Sequence, residues 1–185
     1  MLGCVATVVD RAYPALEERR APIHRVAVAP LGAKPEAAVT EAPLVSRYLA
    51  EALAARGLEV VPPEDVARAA AGAEPGSGAR GIAELVQDQF GADAVLLGEI
   101  TRWVEREGSA LGSPRPATVG LHVVLHGAPQ GERLWEGSFD QTQQPTLTNV
   151  LITPRYPGAG TRFLTADEFA QFAAKELAAA LPVTP

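Results

Sequence analysis

Cysteine, lysine, tryptophan and histidine are all scarce in this chain of 185 residues: one Cys, two Lys, two Trp and three His. The lone cysteine, Cys4, excludes a disulfide within one chain and a thiolate metal cluster built by one chain. Lysine stands only at positions 34 and 175 and the net charge is -6. No basic tail or stripe is present, which argues against nucleic acid as a partner. No apolar run approaches the ~20 residues of a membrane-spanning helix. Of the histidines, His122 and His126 fall on one face of an expected strand but about 13 Å apart, too far to share a metal ion. No metal and no other cofactor is expected.

What is present suffices for a globular domain. The apolar share is 47%, and a chain of this size buries roughly 70% of its unfolded surface without help from disulfides or metals. Residues 1–22 carry no clear period and end in EERRAP, so they read as an amino-terminal tether, and 23–185 as one domain. HRVAVAPL (24–31) reads as a strand buried on both faces and closed by Pro30. Leu44, Val45, Tyr48, Leu49, Ala52 and Leu53 then recur at helical spacing, with Thr40 or Glu41 as cap and Gly57 as stop. LEVV makes a strand and PEDVARAAA a helix with Pro63 in its first turn. A glycine-rich link leads to the helix GIAELVQDQFG. ADAVLLGEITRWVERE reads as a long central strand leaving the core near Trp103, and ATVGLHVVLHGA and RLWEGSFD as an antiparallel hairpin. Last comes TADEFAQFAAKELAAAL, whose Thr165 and Glu168 form a capping box. The class is α/β (α+β): a single domain with a mixed sheet of about five strands, in the order β-α-β-α-α-β-β-β-α, and helices packed on the sheet.

Each motif with chemical potential has a plainer reading. Gly76, Gly78 and Gly81 match the letters of a dinucleotide-binding loop, but a helix rather than a strand precedes them, and a linker explains them. Glu99 lies in an apolar strand, with no carboxylate or histidine at a recognisable spacing to make it a general base. Asp93 is assigned to the turn after Gly91. Ser46 and Ser138 lack the strand-to-helix context of a nucleophile elbow. The long connection 141–164 stands apart, because loops beyond about 12–15 residues are usually functional or disordered. Leu147, Val150, Leu151, Ile152 and Tyr156 make it apolar. It either covers the sheet or presents a partner-binding surface, as the two aromatic anchors Trp103 and Trp135 also can.

RVAVAPL, the helix ending LAARGLEVV, PEDV and FGADAVLLGEITRW together resemble a group of bacterial envelope proteins. These share an α/β domain of the TolB amino-terminal type, found also in the lipoproteins CsgG and LpoB. The resemblance covers about residues 24–140 and the last helix. It implies a non-catalytic periplasmic domain, often tethered to the outer membrane, that works by binding other envelope proteins, with a homo-oligomer as a further outcome. A pore-forming role needs added alternating segments of about 10 residues, and none is present. The alternative from the residues alone is a soluble enzyme or small-molecule-binding protein on a Rossmann-like scaffold, using strand ends near Gly32 and Gly98.

Leu2-Gly3-Cys4 matches the end of a lipoprotein signal peptide, in which a small residue precedes the cysteine that is acylated. Cys4 is therefore the expected lipidation site, and the charged and apolar regions of such a signal are expected upstream of Met1. That places the domain in the periplasm, anchored to the outer membrane.

Overall fold

The computed structural model describes residues 8–19, 21–72, 78–144 and 162–183. Its centre is set by which residues of each strand go to which face. In β2 (Arg25–Val28), Val26 and Val28 point into one hydrophobic cluster and Ala27 into a second, and all three are 0% exposed. Both faces of this strand must therefore be covered by helices, as its unbroken apolar run requires.

α2 (Ala42–Ala54) and α5 (Ala166–Ala180) pack together on the larger cluster. α3 (Pro63–Ala70) and α4 (Gly78–Phe90) cover Ala27, Val61 and Val95 on the opposite face. Between them lies a mixed sheet built from β1 (Val9–Ala12), β2, β3 (Gly32–Ala33), β4 (Glu59–Val61), β5 (Ala94–Val104), β6 (Thr118–Gly127) and β7 (Arg133–Thr142). The order is β1-β7-β6-β5-β2-β4, and β3 pairs with β5 at Glu99 and Ile100, beyond the residues that β2 uses. β2 is parallel to both β4 and β5, whereas β5, β6, β7 and β1 are antiparallel in turn. The α/β class with a mixed sheet is as expected, and the described residues add two strands, β1 and β3, to the five anticipated.

Both additions have a physical reason. Within the stretch expected as tether, Val9–Ala12 pairs along β7, and a short helix α1 (Pro14–Glu18) follows. That helix starts at Pro14, because a proline costs nothing in a first turn where its N–H has no partner. All four residues of β1 are exposed, so no apolar alternation marked it. β3 is short because Pro30 breaks the ladder: β2 ends at Val28, and pairing resumes at Gly32.

Register settles the tryptophans. Pairing of β5 with β6 shifts between Ile100 and Arg102, which puts Trp103 opposite Val119 on the core face, where it is half-buried. Trp135 is 1% exposed and donates from Nε1 to Asp10 at 3.1 Å. No helix among the described residues is long and apolar enough to cross a membrane.

Candidate functional site

The connections leaving β2 and β4, which are neighbours in the sheet, go to opposite faces: α2 on one, α3 on the other. Such a switch point opens a crevice outside the carboxyl ends of the strands, between two helix amino-termini. A cleft of about 530 Å³ lies there. Pro30 and Leu31, leaving β2, form one side with Ala33 of β3 and Val39. Ala42, Pro43 and Ser46 of α2 and Pro63, Glu64 and Ala67 of α3 complete it. The volume lies within the range of small-ligand and anchor-residue pockets.

The chemistry of this lining is set locally. Pro43 and Pro63 sit in the first turns of α2 and α3, so the amino-termini that face the cleft are short of N–H donors. Ser46 is 0% exposed and already committed, donating to the Ala42 carbonyl at 2.7 Å and accepting from the Leu31 amide at 2.9 Å. It stands in for the ladder bond that Pro30 interrupts, a role that a serine inside an apolar helical stripe can signal. Beneath, Leu31 lies over Gly98, where a Cβ would come within 2.9 Å of Leu31 Cδ2 and 2.6 Å of the His122 carbonyl. At the mouth, Glu64 and Arg47 stand 3.7 Å apart, each 54% exposed, and such a pair adds at most about 1 kcal/mol. The cleft therefore offers apolar contact and no converging donors or acids.

The register brings together one constellation that spacing along the chain could not reveal. Ser138, His122 and Glu99 are direct cross-strand neighbours on β7, β6 and β5. No hydrogen bond joins them among the described residues. Glu99 is bound instead to Lys34 at 2.6 Å. Asp93 does more than serve a turn: its Oδ2 accepts from the His24 and Arg25 amides at 2.9 Å each, fastening the start of β2. His126 Nδ1 is paired with the Gly131 carbonyl at 2.8 Å. Among the described residues, no group of three or more His, Cys, Asp or Glu side chains could hold a metal ion.

The other expected sites fall as follows. Trp135 is enclosed in the core and Trp103 packs against it. Cys4, Leu147, Val150, Leu151, Ile152 and Tyr156 lie outside the described residues, as do Gly76 and its neighbours. The described ends of the long connection are joined by buried Gln143, 2% exposed. Its Nε2 donates to the Arg162 carbonyl at 2.9 Å and its Oε1 accepts from the Leu164 amide at 2.6 Å.

Among solved structures, the PelC dodecamer from Paraburkholderia phytofirmans superposes with a TM-score of 0.53 at 18% identity, covering 91% of this chain and 96% of that one. The fold is shared. The lipoprotein GNA1162 from Neisseria meningitidis aligns more weakly, with a TM-score of 0.49, 22% identity and coverage of 68% and 85%. The LpoB carboxy-terminal domain from Escherichia coli gives 0.46, 20%, 70% and 94%. No protein-family model and no curated protein matches the chain.

Proposed function

We propose that this chain is a non-catalytic binding module of the bacterial cell envelope. Tethered to the outer membrane through an acylated Cys4, it works in the periplasm as a scaffold or regulator that holds other envelope proteins and copies of itself. The observation that carries the reading is the cleft between α2 and α3: preformed, apolar, and without the converging polar groups that chemistry needs. Self-association draws support from a fold shared with a protein solved as a dodecamer. The tether draws on Leu2-Gly3-Cys4 and on the position of β1, which begins five residues after Cys4.

The test has two arms. Expressed behind a lipoprotein leader, the chain should take up radiolabelled palmitate and sediment with outer membranes, and Cys4→Ala should abolish both. A photo-crosslinking residue at Ala67 should capture protein in the envelope. A protein that stays unlabelled, soluble in the cytoplasm and uncrosslinked would sink the proposal. A second reading, a small apolar ligand in the same cleft, is favoured by its place at the topological switch point. A rise in Tm with such a ligand, and none with nucleotides, is its mark.

A further inference from the structure

The cleft has a counterpart elsewhere on the same chain. Between β5 and β6 the residues 105–117 form a protruding loop that is braced throughout. The Glu107 amide donates to the Arg115 carbonyl at 2.9 Å, and the Ser109 amide to the Gly112 carbonyl at 2.9 Å. Ser113 Oγ reaches the Glu107 and Arg115 carbonyls at 2.6 and 2.7 Å. Gly108, at φ +91°, permits the tight return, since a Cβ there would stand 2.6 Å from the Gly112 carbonyl. At the tip sits Leu111, 90% exposed, the most exposed large apolar side chain among the described residues. A braced loop loses little freedom on binding, so a leucine held out on one is suited to anchoring.

We infer that the cleft is completed by the Leu111 tip of a second copy of this chain. The inference rests on the self-association proposed above and names its contact. Leu111 does not enter its own cleft, since 90% of it is exposed. The chemistry of the two parts agrees: an apolar side chain on one, a donor-poor apolar lining on the other. Charge does not oppose the contact. Residues 108–114 carry no charge, and Arg115 at the base of the loop is paired with Glu107 at 2.8 Å, so nothing acidic on the tip meets Glu36, Glu41 or Glu64 beside the cleft. Of the other exposed large apolar residues among those described, Val39 belongs to the cleft lining and Val9 sits within the edge strand β1, so neither is held out on a loop. Tip and cleft are different surfaces, so two copies either exchange tips about a twofold axis or repeat the contact head to tail into a ring or an open chain.

Sedimentation velocity over a concentration series tests this with the whole chain. Leu111→Asp spoils the tip, Ala67→Arg blocks the cleft, and both positions are exposed, so circular dichroism and Tm should match the parent. The parent is expected to associate, and each variant to bind itself roughly tenfold or more weakly. Mixed together, the two variants should form a one-to-one complex and grow no further, because one retains the cleft and the other the tip. As a check independent of either charge, Leu111→Cys with Ala67→Cys in a Cys4→Ser background should crosslink copy to copy under mild oxidation. A parent oligomer that survives both variants, with no such crosslink, overturns the contact and leaves self-association standing. A parent that remains monomeric at every concentration overturns both.

Discussion

Arg56 closes α5 from another helix's end. Its guanidinium donates to the carbonyl of Ala178, in the last turn of α5, and to those of Leu181 and Val183 just beyond it, tying down the end of the helix. Arg56→Ala should cost about 2 kcal/mol, the scale of hydrogen bonds to a charged group, and lower Tm by roughly 4–8 °C. Urea unfolding with an unchanged slope checks it. Tyr48 joins α2 to α5 through a 2.8 Å bond to Asp167. Burial first, and the bond to Asp167 second, push its hydroxyl up to about 12. In a spectrophotometric titration one of the three tyrosines should ionise late, and Asp167→Asn should bring it part of the way back towards 10. A Tyr48 that ionises near 10 contradicts the contact. The sequence placed Tyr48 on the buried stripe of α2, but nothing in it indicated that its hydroxyl would need Asp167, 119 residues away.

At the scale of elements, the capping box was legible because it is local. Thr165 accepts from the Glu168 amide and Glu168 accepts from the Thr165 amide, as the four-residue spacing requires. What the spacing omits is Arg162, whose two guanidinium nitrogens each stand 2.7 Å from a Glu168 oxygen. That bond holds the Glu168 carboxyl below its ordinary range. The folded state therefore binds this proton less readily than the unfolded chain does. The contribution is full above about pH 4.5 and is lost as pH falls through the lowered folded value. Glu168→Gln keeps an acceptor for the cap and removes the charge, so stability should fall less steeply as pH drops below about 4.5. Denaturant midpoints across that range decide the point, and an identical slope in the variant refutes it. β1 is the opposite case. Its exposed VDRA has no period, and it is a strand because β7 offers unpaired backbone groups and Trp135 needs an acceptor for its N–H.

For the whole molecule, β1 also closes one edge of the sheet. Deleting residues through Ala12 should bare β7, leave the Trp135 N–H without Asp10, lower Tm and promote association between exposed edges. Calorimetry, light scattering and a red shift of tryptophan emission are the readouts, and an unaltered deletion variant counts against it. Scale also separates what could be read from what could not. Helical and strand periods, the Pro30 break, the capping box and the class of the sheet depend on residues within about one turn or one strand of each other, and the chain determined them by itself. So did the scarcity of metal-ligand spacings and the Leu2-Gly3-Cys4 pattern. The cleft depended on two connections leaving β2 and β4 on opposite faces, which brings Leu31, Ala42 and Ala67 to one crevice. Only the tertiary structure decided that, because crossover direction is a property of packed layers and no local interaction encodes which residues will meet at their ends.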